Sequence, residues 1–415
     1  MDRQPIIHSM TRRSNVHDYS RPGFYHITMH VAEGLGRPLG TVVGSDADTA
    51  AVALTATGTA VERELLTSIT AHYRMIAVDT YVIMPEHLHF ILKVSAPIVS
   101  TNGRSTHLGQ VMAGFKQGCN QAYWAATGQD GTVRAAEPHG TVAATGQDGT
   151  VRAEEPHGTV GGTVAAATVN GGFAAKKARY DTGRPPLFAP GYCDVMPIDE
   201  AQLSTQRAYI AGNPRSRWLR MHDCNRLQPQ RDGIDTALTP AALRGYLQRE
   251  CPQYQANAEA LAQVERRLMI AGDKIACHSY GDRALLKRRL LPVVCHRKDR
   301  PLFEKQKQRC LEEAERGAVL VSPRIHKGEQ LIMDEAVQRG FPVVLIADNG
   351  FPEVYHPSTE RIERCAAGRL LIVTPWKYQY RHRDEGIIVM ECKTMNCVAQ
   401  AICRTRDDWW KNNEH

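Results

Sequence analysis

Hydrophobic positions in the first part of the chain change their period several times, and each change predicts a secondary-structure element. Alternating or β-branched apolar runs indicate strands, whereas apolar residues three and four apart indicate helices. In chain order the pattern predicts a strand at 24–31, a helix around 61–69, strands at 76–84 and 87–94, a helix at 108–124 and an extended piece at 187–196. A further helix begins near Asp199, whose carboxylate is a good N-cap with Gln202 three residues later. This order of strand, helix, strand, strand, helix and strand predicts an α+β ferredoxin-like domain with an antiparallel sheet.

From about residue 270 the pattern changes to apolar strands without polar alternation, each followed by an amphipathic helix. The strand-like runs are 274–280, 290–296, 318–324, 342–348 and 370–375. Strands of this kind are typical of a parallel sheet that is buried on both faces. The sequence therefore predicts an α/β doubly wound, Rossmann-like domain at 270–415, preceded by a mostly helical connector at 222–269.

A tandem repeat interrupts the first domain. Residues 125–142 read AATGQDGTVRAAEPHGTV, and residues 143–160 repeat them with Glu154 in place of Ala136. A unit rich in Gly and Thr without large apolar side chains cannot bury a core, so a solenoid is not expected. We interpret 125–183 as a flexible insertion within a domain that spans 1–221.

The composition agrees with a soluble protein of two or three domains. The 415 residues are 42% hydrophobic and 23% charged. No stretch approaches the roughly 18 consecutive apolar residues of a membrane span, and the N-terminus lacks the apolar core of a secretory signal. We therefore expect a cytoplasmic protein with no membrane partner. Its eleven cysteines include no C-x-x-C pair, which argues against a disulfide framework and a zinc knuckle.

The net charge is concentrated in one segment. Residues 282–309 hold ten Lys or Arg against three Asp or Glu, so this segment alone carries +7, as much as the whole chain. Such density suits a polyanion, because each neutralised phosphate releases counterions. A solvated helix face with its adjoining loop explains the segment equally well.

The sharpest chemical feature is the run M-P-E-H-L-H-F-I-L at 84–92, in which His87 and His89 are two residues apart. Successive strand side chains point to opposite faces, so both imidazoles project from the same side of the predicted strand. Two adjacent imidazoles are half of a metal site, and a divalent ion would bind them as neutral donors. The alternative is a plain polar face of a sheet.

Tyr209 and Asn213 lie four residues apart near the end of the last predicted helix of the first domain, so both can face the same way. Tyr209 lies about 100° around the helix from Ile210, off the apolar side that Ile210 shares with Leu203. Pro214 disfavours helical geometry at Asn213, which places the Asn213 amide at the helix end. Taken alone, the segment favours an interfacial tyrosine followed by an Asn cap.

Together, the P-E-H-L-H strand and the Y-I-x-x-N-P helix resemble the HUH single-tyrosine transposases, the insertion-sequence-200-like group and especially its REP-associated branch. The resemblance covers about residues 15–221 outside the insertion and includes the opening F-Y-H-I-T strand. The chain departs from the family at the insertion, which could alter how the Tyr209 helix swings over the sheet. It also departs at Val195-Met196-Pro197, where the family often has a basic residue.

The resemblance implies a site and a chemistry. His87 and His89 match the histidines that hold Mg²⁺ or Mn²⁺, Tyr209 matches the nucleophile, and Asn213 stands where the family can supply a further metal ligand. Glu86 matches a common family residue without a clear catalytic role. The implied enzyme is a metal-dependent tyrosine transposase that nicks and joins single-stranded or hairpin DNA through a 5′-phosphotyrosine intermediate. A homodimer and a nucleoid-associated location are compatible with this interpretation.

The segment 319–330 places a polar turn between a buried strand and a helix, where backbone N–H groups commonly hold phosphate. Ser322, Arg324 and Lys327 could assist, although an ordinary connection with a solvated lysine is the stronger interpretation. In strand order and in its A-D-N-G turn at 347–350, the domain vaguely resembles the Rossmann-like fold of DprA-type DNA-processing proteins. We expect an accessory nucleic-acid or nucleotide-binding role. The candidate DNA contacts in this half are Arg288, Arg289, Arg297, Lys298, Arg324 and Lys327.

Two other functions stay open at this point. The chain could be a catalytically inactive or domesticated DNA-binding protein in which the insertion has disabled the site. Alternatively, the second domain could be the active part, as a unit that binds or hydrolyses nucleotides.

Overall fold

The computed structural model describes residues 17–128, 184–252, 258–295, 300–355, 357–380 and 388–407. Most of the predicted insertion lies outside these ranges, as do Arg297 and Lys298. Contacts divide the chain into two compact units, Met1–Thr41 with Ala53–Ile210, and Val42–Val52 with Ala211–His415. Both units mix helices with β-sheet. No helix within the described ranges is long and apolar enough to cross a membrane.

The first unit contains the elements that the hydrophobic pattern predicts. The strands in this part of the chain are β1 (Gly23–His30), β2 (Gly40–Val43), β3 (Ala51–Leu54), β4 (Ile76–Ile83), β5 (His87–Val94) and β6 (Cys193–Val195). The helices are α1 (Ala56–Arg63), which continues through a π-turn at Glu64–Ser68 into α2 (Ile69–His72), then α3 (Leu108–Ala126) and α4 (Glu200–Ala211). A four-stranded sheet has the order β4-β5-β1-β6 with all neighbours antiparallel, and β2 and β3 pair separately.

One face of the four-stranded sheet forms the hydrophobic core of the first unit. Tyr25, Ile27 and Met29 of β1 and Leu88 and Phe90 of β5 each expose 1% or less of their surface. The helices α1, α2 and α3 cover this face. Because strand side chains alternate, the intervening residues of β1 and β5 project from the opposite face.

Polar side chains along one stripe of α3 hold the segment that follows the predicted insertion. Lys116, Asn120 and Trp124 all hydrogen-bond backbone groups within 185–191, the Trp124 indole donating at 2.8 Å. Residues four apart share one face of a helix, so the three contacts act along one line. Residues 185–191 therefore run along α3, with Pro185 beside Trp124 near the C-terminal end of this helix.

The N-cap predicted for α4 is present. Asp199 Oδ1 accepts the N–H of Gln202 at 2.7 Å, and the Gln202 side chain accepts the N–H of Ile198 at 2.7 Å. α4 ends at Ala211, and α5 (Asn213–His222) begins almost directly after it. Asn213 is therefore the first residue of a second helix, because proline is well tolerated in the first turn of a helix.

The second unit is built on a larger sheet. Its strands are β7 (Gln230–Asp235), β8 (Ile270–Ala271), β9 (Lys274–Gly281), β10 (Leu290–Pro292), β11 (Val319–Ser322), β12 (Val343–Ile346) and β13 (Leu370–Thr374). After α5 come α6 (Pro240–Glu250), α7 (Ala258–Arg267), α8 (Arg300–Glu315), α9 (Lys327–Gln338), α10 (Thr359–Ala366) and α11 (Val389–Cys403). The sheet order is β10-β11-β12-β13-β9-β7, with β8 paired to β9. Each of the five strand-like runs predicted from the sequence contains one of these strands.

The strand order of this sheet differs in part from that of the predicted doubly wound fold. Strands β10 to β13 are parallel and follow one another in chain order. Right-handed crossovers that progress in one direction fall on one face, and α8, α9 and α10 pack together there. The other face is covered by α6, α7 and α11. Helices cover both faces as predicted, but the strand order does not reverse within the parallel strands.

Strand β9, predicted as part of the parallel sheet, is antiparallel to β13 and to β7. Between Gly281 and Leu290 the chain forms only a short 3₁₀ turn, Arg283–Lys287. A parallel return requires a crossover of about a dozen residues or more, usually a helix. The short connection therefore leaves β9 running against β10 to β13.

The segment 222–269 contributes a strand as well as helices, in contrast to the predicted helical connector. β7 pairs with β9, while Leu243 and Leu247 of α6 and Val264 of α7 enter the same core as the sheet. The contacts also place the division between units after Ile210 rather than after residue 221. The segment 222–269 is thus integral to the second unit.

Candidate functional site

Four histidines converge on the outer face of the first unit's sheet. In the antiparallel register His30 lies opposite His87, and Thr28 lies opposite His89. The ring centroids are 4.9 Å apart for His87 and His89, 5.4 Å for His30 and His87, and 5.5 Å for His26 and His89. We call His26, His30, His87 and His89 the histidine face. The predicted neighbouring pair is present, within a larger cluster.

The reasoning from sequence missed His26 and His30. The signal was available, because the run G-F-Y-H-I-T-M-H at 23–30 alternates and places His26 and His30 on the polar side of a predicted strand. That β1 would lie beside β5, with His30 directly opposite His87, depends on strand order and register. A single strand pattern determines neither of these.

Helix α4 brings Tyr209 to the histidine face. Leu203 and Ile210 anchor the helix on the sheet and expose only 2% and 0% of their surface. The Tyr209 ring centroid lies 5.3 Å from that of His89 and 6.3 Å from that of His26. Tyr209 is 42% exposed, so the phenol is open to solvent beside the imidazoles. The sequence placed Tyr209 off the apolar side of its helix, as observed.

Arg207 fixes α4 to the neighbouring strand, a contact that the sequence did not predict. Its guanidinium donates two hydrogen bonds of 2.8 Å to the Asp79 carboxylate and one of 3.0 Å to Glu200. It also lies over the Phe24 ring, 5.6 Å from the centroid. The hydrogen bonds from Arg207 hold the pKa of the Asp79 carboxyl below its usual value. A bidentate pair of this kind adds geometric specificity to the seating of the helix.

His26 and His89, the two buried members of the histidine face, are uncharged at neutral pH. Burial lowers the pKa of His89 to about 2, assisted by positive charge on the other three imidazoles, and burial lowers the pKa of His26 to about 4. Both side chains are buried. A neutral imidazole keeps a nitrogen lone pair that can bind a metal ion.

The surroundings of His26 and His89 suit these imidazoles to act as nitrogen donors to a metal ion. Thr28 Oγ1 lies 2.9 Å from His89 Nδ1, and metal-binding histidines commonly bond a second group through their other ring nitrogen. Nε2 of His26 is buried without a hydrogen-bond partner in the part of the chain that the structure describes. These features fit a divalent cation held by imidazole nitrogens.

The predicted metal set is incomplete within the first unit. Among the described residues, no group of three His, Cys, Asp or Glu side chains is arranged to hold a metal ion. A metal bound by His87 and His89 would need its further ligands from other groups, such as an amide, water or the substrate. Asn213, the predicted amide ligand, belongs by its contacts to the second unit, and its role stays a prediction.

The turn between β11 and α9 is filled by a side chain of the protein itself. The Glu329 carboxylate, fully buried, accepts the N–H groups of Cys295 at 3.1 Å, Ile325 at 2.8 Å and His326 at 3.3 Å. Burial raises the pKa of Glu329, and these N–H donors act in the opposite direction. The N–H groups at 325 and 326 that a phosphate would need are therefore occupied. This contact agrees with an ordinary connection at 319–330, the interpretation that the sequence favoured over a phosphate site.

The side chains expected to assist phosphate binding have other surroundings. Ser322 is buried and its hydroxyl donates to the Val293 carbonyl at 2.9 Å. Arg324 forms an ion pair with Asp334. Lys327 is exposed at the first residue of α9. The three residues therefore do not surround an open anion position.

The turn at 347–350 is likewise occupied. Asn349 Oδ1 accepts two backbone N–H groups, one of them from Gln379, at 2.9 and 3.0 Å. Arg267 donates to a carbonyl of the turn at 3.2 Å and forms a buried ion pair with Glu391. Both polar turns at this edge of the sheet are thus satisfied from within the protein.

Much of the charge in the segment 282–309 is compensated. Within the described part of the segment, four cations form ion pairs: Arg283 with Asp232, Arg289 with Glu313, Lys307 with Glu335 and Arg309 with Asp407. Arg288 donates to the Gly317 carbonyl at 2.9 Å. The predicted contacts Arg297 and Lys298 lie outside the described residues. The charge count therefore overstates the free positive surface of this segment.

Comparisons with known proteins add little to this geometry. No protein family's sequence profile matches the chain, and no curated protein matches it. A solved structure of DNA processing protein A from Helicobacter pylori, described for its single-stranded DNA binding mode, matches 32% of this chain at 16% identity with a TM-score of 0.24. The match spans 59% of that protein's chain. A likeness of this size leaves fold and function to be argued from the residues themselves.

Proposed function

We propose that the chain is a metal-dependent DNA nicking and joining enzyme of the REP-associated tyrosine transposase type, with Tyr209 as the nucleophile. One observation carries the proposal. Tyr209 lies against His89 although about 120 residues separate them in the sequence, and its phenol is exposed beside the His26 and His89 imidazoles. A packing tyrosine would be expected to bury its ring, as Tyr25 does on the other face of the same sheet.

The topology of the first unit supports the same proposal. Apart from the separate pair of β2 and β3, strand, helix, strand, strand, helix and strand follow each other along the chain. The sheet order β4-β5-β1-β6 places β1 and β5 at the centre. We propose that this unit is a ferredoxin-like domain, the fold that the motif resemblance implies. The two central strands carry all four histidines, so the proposed site is built on strands rather than on loops.

The proposed reaction exchanges one phosphodiester for another. The phenol oxygen of Tyr209 attacks a backbone phosphorus, a bond from that oxygen to phosphorus forms, and the bond to the 3′ oxygen breaks. The proton lost by the phenol is balanced by the proton gained at the released 3′ hydroxyl. The product is a 5′-phosphotyrosine, and attack by another 3′ hydroxyl reverses the step, so no ATP is required.

His87 and His89 are the residues that would hold the cation. The Mg²⁺ or Mn²⁺ ion would offset negative charge on the phosphate oxygens, which otherwise repel the phenol. Nitrogen donors favour Mn²⁺ over Mg²⁺, because Mg²⁺ strongly prefers oxygen ligands. Thr28 keeps the His89 ring in one orientation, and Arg207 keeps α4 and its tyrosine against the sheet.

The expected substrate is single-stranded or hairpin DNA, since the strand must bend into the site and expose its backbone. A homodimer and a nucleoid-associated location in the cytoplasm belong to the same proposal. The second unit would then serve an accessory nucleic-acid-binding role.

Covalent adduct formation tests the proposal. Hairpin oligonucleotides labelled at the 3′ end are incubated with the full chain and Mn²⁺, and the products are separated under denaturing conditions. We expect a protein-linked label with the wild type, none with Tyr209→Phe, and wild-type amounts with Tyr378→Phe, which alters another exposed phenol. An adduct that survives Tyr209→Phe would exclude Tyr209 as nucleophile. Binding without any adduct across many hairpins would instead favour the DNA-binding protein without chemistry.

A further inference from the structure

Two adjoining clefts in the second unit form a positively charged surface, of which the sequence singled out only Arg288 and Arg289. The first cleft, of 610 Å³, lies between α6 and the end of α11. The second, of 600 Å³, lies beside β7 and the 3₁₀ turn. Ala401 and Arg404 line both clefts. The shared residues make the two clefts one continuous surface.

The first cleft carries positive charge without a carboxylate. Its lining includes Arg249, Arg404 and Arg406 and contains no Asp or Glu. All three arginines are exposed, and no ion pair involves them among the described residues. This distinguishes them from Arg283, which lies in the predicted basic segment and pairs with Asp232.

The second cleft extends this charge. Arg288 lines it together with Arg404, and Arg289, which pairs with Glu313, lies beside them. Its single acidic residue, Asp235, forms an ion pair with Lys274 at 3.0 Å and accepts a backbone N–H at 2.8 Å. The acidic charge in the cleft is therefore compensated locally, and the surface as a whole stays positive.

The backbone at the junction of the clefts is unusual. Arg404 has a left-handed conformation with φ of 56° at the end of α11, a position at which glycine is favoured. The nearby Ala237, which lines the second cleft, also has a left-handed backbone with φ of 55°. An arginine in place of the favoured glycine puts a guanidinium where the two clefts meet.

We propose that these clefts bind single-stranded nucleic acid through its phosphodiester backbone. Guanidinium groups recognise phosphate oxygens well, and a positive groove with apolar patches is the usual surface for a single strand. Leu238, Ala241 and Ala401 provide the apolar part of the first cleft. A concave, branched surface suits a flexible strand, whereas a duplex is stiff over about 50 nm. The proposal goes beyond Tyr209 chemistry and does not require it.

The test measures the binding of fluorescent oligo-dT to the full chain by anisotropy over a range of salt concentrations. For a single strand each phosphate contact contributes a salt slope of about 0.7. Removing Arg404 and Arg406 together should weaken binding roughly 20-fold near 0.1 M salt and lower the slope by about 1.4. Arg249→Ala should weaken binding about fivefold.

Arg244→Ala is the matched control. Arg244 lies on the same helix as Arg249, but it pairs with Glu265 at 2.5 Å and does not line either cleft. This variant should bind as the wild type does. Thermal unfolding of each variant separates loss of binding from loss of a helix-terminal charge, since the latter lowers the midpoint without changing the salt slope.

Localisation and competition complete the test. On binding, hydrogen exchange should slow in 238–249 and 400–406. Oligo-rU in place of oligo-dT tells DNA from RNA, and either one binding here supports the shared backbone chemistry. Equal displacement by poly-glutamate of the same charge would overturn the assignment to nucleic acid, as would wild-type affinity in the Arg404→Ala, Arg406→Ala double variant. Adduct formation by Tyr209 is measured separately, so its absence would not affect this result.

Discussion

The histidine face and the turn between β11 and α9 both present polar groups that could bind a ligand. They differ in whether the protein itself already satisfies those groups. At the turn, the backbone N–H groups at 325 and 326 are occupied by the buried Glu329 carboxylate. On the histidine face, the His26 and His89 imidazoles are neutral, and Nε2 of His26 lacks a hydrogen-bond partner among the described residues. Donors and acceptors make a site only where the protein itself has not already satisfied them.

The largest effect is expected from removing a histidine of the histidine face. His89→Ala should lower the rate of adduct formation at least about 100-fold and Mn²⁺ affinity by about 10- to 100-fold, because it removes a central donor. Initial rates and calorimetric Mn²⁺ titration measure the two effects. His72→Ala, at an exposed helix end of the same unit, is the control. Equal Mn²⁺ affinity in both variants would show that the histidine face holds no metal.

The second prediction concerns the Glu329 carboxylate, which occupies the turn between β11 and α9. Glu329→Ala should lower the free energy of unfolding by about 3 kcal/mol, since one buried and two part-buried N–H groups lose their acceptor. Inorganic phosphate should raise the unfolding midpoint of this variant but not that of the wild type. The exposed Glu353→Ala should change stability by less than about 0.5 kcal/mol. Stabilisation of the wild type by phosphate would abolish the contrast between the two regions.

The third prediction concerns pH. Folding lowers the pKa of His26 from its ordinary 6.5 to about 4 and that of His89 to about 2. The unfolded chain therefore binds more protons below pH 6.5, and stability falls as the pH falls from 6.5 toward these folded values. Each group contributes about 1.4 kcal/mol per pH unit in that window. Urea unfolding of the wild type and His26→Phe at pH 7.5 and 5.0 should show a smaller loss in the variant.

The smallest expected effect concerns Lys327. If the turn is not an anion site, Lys327→Ala should change single-strand affinity less than about twofold, because an isolated exposed lysine contributes only weak screened attraction. Anisotropy titration beside the Arg249→Ala variant checks this. A larger loss for Lys327→Ala than for Arg249→Ala would move the binding surface back to the predicted turn.

Much of the first unit follows from local pattern. The strands around 76–94, their turn, the α4 cap at Asp199 and the shared face of His87 and His89 depend on residues close together in the sequence. Local signals work here because side-chain alternation and helix capping are properties of a few neighbouring residues. The direction of β9 was also within reach, since no crossover helix separates it from β10.

The sequence could not predict in the same way which side chains occupy the polar turns of the second unit. Glu329 fits the pattern of an ordinary first-turn helix residue, and its reach to the Cys295 N–H depends on the neighbouring strand. The pairing of Arg309 with Asp407, 98 residues away, likewise compensates a cation that the sequence counts in the basic segment 282–309. A charge count along the chain contains no information about such partners.

The sequence by itself determined the period of each element, the two histidines on one strand and the exposed side of the Tyr209 helix. Only the tertiary structure decided that His26 and His30 join them, that Arg207 seats the helix, and that the polar turns of the second unit are occupied. The physical reason is the sequence separation over which each kind of interaction acts. Periodicity and capping act within a few residues, whereas register, burial and hydrogen-bond satisfaction depend on groups that become neighbours only when the chain folds.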